Sequence, residues 1–184
     1  MLENDAALSK NSANYHPLNP VSFLKRAGEI FPDDISIIYN DLNFTWGETL
    51  KRCRLLASAL HRIGLEKGDV VGFLAMNTPE LYEAHFGVPM AGMVLNAVNY
   101  RLDSQTIAYI IDHSELKLLV IDSEFVSLTK KAVELAKTKP KIIFIDDPFC
   151  SDREDHEGCD YEKFLLSGDP NFNEINPKSE WDSI

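Results

Sequence analysis

Two cysteines and a histidine near the end of the chain are the first residues that could do chemistry. Cys150 and Cys159 flank His156, and thiolate sulfur and imidazole nitrogen are ligands that zinc prefers. Their spacing matches no metal-binding motif, and the surrounding segment is acidic and rich in turn residues, so we interpret it as a solvated loop without a metal. Cys53 lies on an apolar helical stripe and is interpreted as core packing. Three cysteines without a CxxC pair favour a reducing compartment.

A basic cluster is the next candidate, in this case for phosphate binding. Arg52, Arg54, His61 and Arg62 share one helical pattern, and guanidinium groups bind phosphate oxygens through two parallel hydrogen bonds. Charged residues on helices are mostly exposed to water. We therefore interpret this cluster as the solvated face of a helix. His85 has apolar neighbours in the sequence, which indicates a hydrogen-bonded core or boundary histidine rather than a catalytic one.

Asn99 and Arg101 are the best candidates for the edge of a ligand site. Both directly follow the apolar run Met93–Val98, and ligands of open α/β sheets bind at the carboxyl ends of the strands. The alternative, which we favour, is that these side chains brace a loop. Asp146 and Asp147 could act as a general acid and base, but they lie in a turn with no predicted pocket. We assign no catalytic, cofactor-binding or metal-binding residue.

The sequence contains none of the common nucleotide-binding or hydrolase motifs. Its nine glycines are scattered and form neither GxGxxG nor GxxxxGK[ST], and no HExxH or GxSxG is present. A Rossmann-like nucleotide-binding domain is therefore disfavoured as a hypothesis.

The stretch Asp69–Asp122 predicts the architecture that positions these residues. It contains the short apolar runs Val70–Met76, Met93–Val98 and Leu118–Ile121, separated by helical patterns. This alternation is typical of an α/β fold with a mostly parallel sheet and crossover helices. The runs are apolar throughout, as expected for strands that are covered on both faces. Lys141–Asp146 is predicted as a fourth strand of the same sheet.

Local signals before this stretch predict a helix, a hairpin and a second helix. Residues 19–20, Asn-Pro, provide an N-cap and a favourable first helical position. Ile35–Tyr39 and Leu42–Thr45 are β-rich runs joined by Asn-Asp, which indicates a tight hairpin. Thr45 and Glu48 have the spacing of a capping box that opens the second helix.

The later helices are predicted from apolar periodicity. They are expected to span Ser104–His113, Glu124–Thr138 and Tyr161–Leu166, with Ser123 as the cap of the middle one. The helix that begins near residue 79 should be kinked by Pro89, because the proline ring clashes with the carbonyl four residues earlier.

We divide the chain into three parts. Residues 1–18 are polar and are predicted to form a flexible arm, and residues 19–146 hold the predicted sheet and helices. Residues 147–184 comprise an acidic, turn-rich excursion without its own core, a short helix and an extended tail. Because the chain ends without a helix stop or a polar tail, we expect the domain to be incomplete.

The net charge excludes some classes of partner. A net charge of −11 over 184 residues argues against nucleic-acid binding, which requires a basic face. No apolar run has the length of a membrane span, since the best candidate, residues 87–98, is interrupted by proline and glycine. The first residues show no apolar signal core, so we expect a cytoplasmic location.

Several stretches together resemble the N-terminal part of the AMP-forming acyl-CoA synthetases, which are adenylate-forming ligases. They are NPVSFLKRAGEIFPD at 19–33, FTWGETLKRCRLLASAL at 44–60, GDVVGFLAMNTPELYEAHFGVPMAGMVLNAVNYRLD at 68–103, DHSELKLLVID at 112–122 and SEWDSI at 179–184. The similarity is greatest to plant acyl-activating enzymes of the butyrate-, benzoate- or cinnamate-CoA ligase type. It implies that the chain is part of the first subdomain of such a ligase.

The resemblance also implies a reaction and its cofactors. In this family a carboxylic or fatty acid reacts with ATP to give an acyl-adenylate, and coenzyme A then displaces AMP, with Mg²⁺ on the phosphates. The phosphate loop of the family would begin a few residues beyond Ile184, and the catalytic lysine lies further on. No catalytic residue of the family can therefore be assigned here. We expect this chain alone to bind none of these cofactors and to be inactive.

Three further hypotheses concern an alternative function, self-association and the cellular location. The chain could be a short binding or regulatory module that pairs with full-length relatives. An uncovered sheet edge could also lead to self-association. A full-length form could be peroxisomal, because plant relatives often carry a C-terminal peroxisomal tripeptide, whereas residues 182–184 are Asp-Ser-Ile.

Overall fold

Helices and short strands alternate along most of the chain. The computed structural model describes residues 9–11 and 13–184. The helices are α1 Pro20–Ile30, α2 Trp46–Arg62, α3 Pro79–Met90, α4 Ser104–His113, α5 Val126–Leu135 and α6 Tyr161–Leu166. The strands are β1 Ile35–Tyr39, β2 Leu42–Thr45, β3 Val70–Leu74, β4 Val94–Ala97, β5 Leu118–Asp122, β6 Lys141–Ile145 and β7 Cys159–Asp160.

The main sheet has five strands in the order β4-β3-β5-β6-β7, and every neighbouring pair is parallel. The predicted parallel α/β sheet is therefore confirmed. The prediction missed β7, which pairs Cys159 with Ile143 and Asp160 with Phe144. Two residues without an apolar run leave no strand signal in the sequence. The last residues of the predicted surface excursion therefore belong to the sheet.

Side chains on the two faces of this sheet form two separate cores. Val71, Phe73 and Val120 pack with residues of α1, α2, α3 and α6. Leu119 and Ile121 point to the opposite face and pack with residues of α4 and α5. Because neighbouring residues of a strand face opposite ways, each apolar strand contributes to both cores. This three-layer arrangement explains why the strands are apolar throughout.

The predicted hairpin and its helix cap are confirmed. β1 and β2 pair antiparallel, with Tyr39 opposite Leu42, and Asn40 takes the positive φ that the tight turn requires. The Thr45 side-chain oxygen accepts a hydrogen bond from the Glu48 amide at 3.2 Å, and the Glu48 carboxylate accepts one from the Thr45 amide at 2.8 Å. This capping box sets the direction of α2 directly after the hairpin.

The prediction of a helix over Glu124–Thr138 with Ser123 as its cap was wrong at both ends. Residues 123–125 form a 3₁₀ turn capped by Asp122, and the α-helix starts at 126. At the other end the Asp112 carboxylate accepts hydrogen bonds from the amides of residues 137 and 138, at 2.8 and 2.7 Å. These bonds compete with helical ones, so α5 ends at residue 135.

Of the predicted arm over residues 1–18, residues 1–8 and 12 lie outside the described residues. At its end the Leu18 amide donates to the Glu180 carboxylate at 3.1 Å. Near the end of α3, Pro89 is accommodated one residue before the last helical residue. Among the described residues, no helix has the length and apolar character needed to cross a bilayer.

Candidate functional site

The carboxyl ends of the parallel strands collect polar residues at one edge of the sheet. Thr78 lies a few residues beyond β3, Asn99 follows β4, Asp122 ends β5 and Asp147 follows β6. In open α/β folds this edge is where ligands bind. We therefore define Tyr39, Asp122 and Asp147, the groups that interact there, as the edge cluster.

Asp122 is fully buried at the centre of this edge. One carboxylate oxygen accepts a hydrogen bond from the Glu124 amide at 3.3 Å. Within the described part of the chain, its other oxygen has no hydrogen-bond partner, and neither does the buried Ser123 hydroxyl. Burial, together with the negative charges of Asp147 and Glu124, raises the pKa of Asp122 to about 6. This carboxyl group therefore takes up a proton far more readily than an exposed aspartate.

Asp147 connects the edge to the N-terminal hairpin. Its carboxylate accepts hydrogen bonds from the Tyr39 hydroxyl and, at 2.9 Å, from the Phe149 amide. Burial raises the pKa of Tyr39, and the bond to Asp147 raises it further. The phenol therefore stays protonated and acts as a donor. Negative charge thus accumulates on one side of the sheet edge.

A second polar group, which we call the helix cluster, connects α2, α3 and α6 through Arg52, Glu83, Tyr161 and Glu162. The Arg52 guanidinium forms ion pairs with Glu83 and, at 2.5 Å, with Glu162. The Tyr161 hydroxyl donates to the Glu83 carboxylate at 3.2 Å. Glu83 is fully buried; burial raises its pKa, and Arg52 opposes that shift. The carboxylate is therefore compensated by a cation and a hydroxyl.

The helix cluster corrects the interpretation of Arg52, Arg54, His61 and Arg62 as one solvated face. Only Arg62 is exposed. The Arg52 side chain is 16% exposed and fully engaged by carboxylates, and the His61 ring bonds the Ala91 carbonyl oxygen at 3.0 Å. One sequence pattern could have indicated this arrangement. Glu83 has the helical spacing that places it on the same side of α3 as Pro79, Gly87 and Met90, and this side is buried.

Asn99 and Arg101 lie at the predicted edge of the sheet. The Asn99 side-chain oxygen accepts a hydrogen bond from the Arg101 amide at 2.9 Å. The Arg101 guanidinium lies over the Tyr100 ring, 5.6 Å from its centroid. Both side chains are exposed, and their contacts are local to the loop. These contacts are those of loop bracing, and a role in ligand binding stays a prediction.

His85 was predicted wrongly as a core or boundary residue. It is exposed, and its ring bonds the Leu81 carbonyl oxygen one helical turn earlier, at 2.7 Å. The prediction failed because the apolar residues near His85 in the sequence, such as Ala84 and Val88, face the core, whereas His85 lies on the exposed side of the helix.

The segment around Cys150, His156 and Cys159 is more structured than a solvated loop. The His156 ring stacks on Phe144 with centroids 3.9 Å apart and bonds the Asp146 carboxylate at 2.9 Å. Cys150 lies 3.8 Å from the Glu124 carboxylate, whereas Cys159 is exposed in β7. Across the described residues, no three acidic, histidine or cysteine side chains are arranged to hold a metal ion.

Comparison with known proteins identifies the family. Residues 24–182 match the AMP-binding enzymes. The chain belongs to that family. It is 41% identical over 184 residues to a 2-methylpropanoate–CoA ligase of Humulus lupulus, covering 96% of this chain and 33% of the relative. It is 42% identical over 192 residues to the peroxisomal trans-cinnamate:CoA ligase of Petunia hybrida, covering 96% and 34%.

Solved structures agree with the assigned fold. An anthranilate CoA ligase in complex with anthranoyl-AMP superposes with a TM-score of 0.79 at 17% identity, covering 91% of this chain and 32% of that one. A benzoate CoA ligase from Burkholderia xenovorans superposes with a TM-score of 0.75 at 21% identity. The resemblance to acyl-CoA ligases is confirmed, and the chain spans about a third of the length of the curated relatives it matches.

Proposed function

We propose that this chain is part of an acid–CoA ligase that activates a carboxylic or fatty acid with ATP and joins it to coenzyme A. The observation that carries the proposal is the family match over residues 24–182, together with about 40% identity to plant acid–CoA ligases. In that reaction a carboxylate oxygen attacks the α-phosphorus of ATP, and the bond to pyrophosphate breaks. The sulfur of coenzyme A then attacks the acyl carbon, AMP leaves, and the thiol proton passes to solvent.

We further propose that the 184-residue chain does not catalyse this reaction alone. The transition state of phosphoryl chemistry needs cations or N–H donors around the phosphates. The described sheet edge instead presents Glu80, Asp122 and Asp147, which all raise the pKa of Tyr39 through their negative charge. Of the two described arginines near this edge, Arg52 is occupied by two carboxylates and Arg101 lies over the Tyr100 ring. ATP, Mg²⁺ and coenzyme A are therefore assigned to the full-length enzyme rather than to this chain.

The test is acid-dependent exchange of pyrophosphate into ATP. The purified chain is incubated with ATP, Mg²⁺, labelled pyrophosphate and acetate, butyrate, benzoate or cinnamate, with the Petunia enzyme as the positive control. We expect no exchange above the acid-free blank. Exchange that depends on any of the acids would show that the chain is active alone.

A second proposal concerns self-association, and β4 is the observation that favours it. The Val94 and Val98 amides donate toward β3, at 3.0 and 2.8 Å, so the backbone groups of Leu95 and Ala97 point away from the sheet. In the described sheet β4 has β3 as its single neighbour. Residues 94–97 contain no charge and no proline to discourage pairing. We propose that this edge pairs with a second copy or with a full-length relative.

Ala97→Pro tests this edge, because the side chain is exposed and only an outward amide is lost. The mass of the wild-type chain in solution should depend on concentration, and that dependence should weaken in the variant. A wild-type chain that stays monomeric at all concentrations would contradict the proposal.

The location and the division of the chain are also proposals. We propose a cytoplasmic protein, although the Petunia relative and the acetate/butyrate–CoA ligase of Arabidopsis thaliana are named as peroxisomal. A fluorescent fusion distinguishes the two compartments. We retain the division into residues 1–18, 19–146 and 147–184 as a division by sequence character alone. The pairing of β7 and the burial of Tyr161 show that this last part shares the sheet and its core.

A further inference from the structure

A groove of about 400 Å³ lies between β1 and α3. Its walls include the aromatic rings of Tyr39 and Tyr82 and the apolar side chains of Ile37 and Leu81. A smaller cavity of about 220 Å³ lies beside it, and Tyr39 and Pro79 line both. An apolar groove with one polar end is a common form of small-molecule site.

The polar end carries an excess of negative charge. The smaller cavity is lined by four acidic residues, of which Glu162 pairs with Arg52 and Asp146 with His156, so the excess comes from Glu80 and Asp147. Among the described residues that line the two cavities, Arg52 and His85 are the basic ones. Arg52 already forms ion pairs with Glu83 and Glu162. The His85 ring forms a hydrogen bond with the Leu81 carbonyl oxygen of its own helix. An anionic ligand is therefore disfavoured here, and a cationic one is favoured.

Thr78 supplies an independent indication of a ligand. It lines the groove, is 3% exposed, and its hydroxyl has no hydrogen-bond partner among the described residues. It occupies the N-cap position of α3 without forming a side-chain cap. Burial raises the pKa of Glu80 and the neighbouring Thr78 side chain lowers it, so Glu80 is the polar group nearest this hydroxyl, although their contact does not meet hydrogen-bond geometry. A buried hydroxyl normally has a partner, so a donor placed in the groove would satisfy it.

We propose that this groove binds a small primary amine, as its ammonium form, with a short apolar body. The ammonium group donates to the Thr78 hydroxyl and to the carboxylates at the polar end, and the apolar body lies against Ile37 and Leu81. The faces of Tyr39 and Tyr82 add cation–π attraction, which aromatic side chains commonly provide to ammonium groups. Nothing in the acid–CoA ligase reaction requires such a ligand, so the site is additional to the proposed function.

The test compares three probes that share one aromatic ring and differ in charge. Benzylamine, benzyl alcohol and benzoate are titrated into the ¹⁵N-labelled chain. We expect benzylamine to shift the amides of Tyr39, Thr78 and Leu81, and to bind about fivefold more tightly than benzyl alcohol, as expected for one partly exposed charge pair. Benzoate should bind more weakly than either.

Variants with matched charge separate specific binding from general attraction to an acidic protein. Asp147→Asn and Asp103→Asn each remove one negative charge, but Asp103 lies at the N-cap of α4 and lines neither cavity. Benzylamine affinity should fall about fivefold in the first variant and stay unchanged in the second. Thr78→Val should also weaken binding. Equal affinity for the three probes, equal losses in the two aspartate variants, or shifts confined to other amides would each overturn the proposal.

Discussion

The helix cluster and the edge cluster hold buried carboxylates in opposite electrostatic conditions. In the helix cluster, Glu83 receives two bonds from Arg52 and one from the Tyr161 hydroxyl. In the edge cluster, Asp122 receives one amide bond and faces two further carboxylates. The first arrangement is that of a structural connection between three helices. The second leaves negative charge without a cation beside it among the described residues.

Removing the cation of the helix cluster should have the largest effect. Arg52→Ala leaves Glu83 buried without its counter-charge, and breaking one side of a buried ion pair costs about 3–5 kcal/mol. The free energy of unfolding from urea titrations measures this loss. Arg62→Ala removes the same charge from an exposed position and should change stability by less than about 0.5 kcal/mol. Similar values for the two variants would contradict the account of the helix cluster.

The two tyrosines allow a direct comparison between the clusters. Tyr161→Phe removes a donor to the fully buried Glu83, and we expect a loss of about 2–3 kcal/mol, since hydrogen bonds to charged groups lie in this upper range. Tyr39→Phe removes the donor to Asp147, whose environment is closer to solvent, and should cost about 1 kcal/mol. Urea unfolding of both variants under one condition tests the order. A larger loss for Tyr39→Phe would reverse the comparison.

Asp122→Asn should stabilise the protein near neutral pH, by about 1 kcal/mol. Because the pKa of this carboxyl is raised from 3.8 to about 6, the folded state binds more protons than the unfolded state between these values. Its contribution to stability is therefore present below about pH 4 and is lost as the pH rises to about 6. The variant should abolish this part of the pH dependence, as measured by thermal melts across the range.

Asp103→Asn is the control with the opposite sign. Amide hydrogen bonds at the start of α4 lower the pKa of Asp103, so its ionised form stabilises the folded state. That contribution is present above the ordinary aspartate pKa and is lost as the pH falls. Asn should therefore lower stability near neutral pH. Changes of the same sign in the two variants would contradict the assigned environments.

The smallest effect is expected for the loop at the end of β4. Asn99→Ala removes one local, exposed hydrogen bond to the Arg101 amide, and we expect a loss of about 0.5 kcal/mol or less. A thermal melt measures it. A loss as large as that of Arg52→Ala would show that this loop has contacts beyond the bracing described above.

The sequence predicted the strands better than the polar contacts, and the reason is physical. An apolar run such as Leu118–Ile121 is a local signal of burial on both faces, and the turn between β1 and β2 is encoded in two residues. The partner of Glu83 is 31 positions away in the sequence, so no local pattern predicts whether Arg52 meets water or a carboxylate. The same limitation hid the pairing of Tyr39 with Asp147.

The ends of α5 and the short strand β7 show a second limitation. Residues 137 and 138 have helical neighbours in the sequence, but the Asp112 carboxylate captures their amides. β7 forms because α6 is anchored beside it through the buried side chains of Tyr161, Phe164 and Leu165. In both cases a tertiary contact determines the local conformation. Such a contact outweighs the weak helix or strand propensity of the residues.

A chimera tests the central claim most directly. The corresponding N-terminal third of the Petunia trans-cinnamate:CoA ligase is replaced by this chain, and cinnamate-dependent pyrophosphate exchange and cinnamoyl-CoA formation are measured. If the chain is the first part of an acid–CoA ligase, the chimera should carry out both steps. A chimera that melts cooperatively at the temperature of the parent enzyme but shows no exchange would contradict the claim.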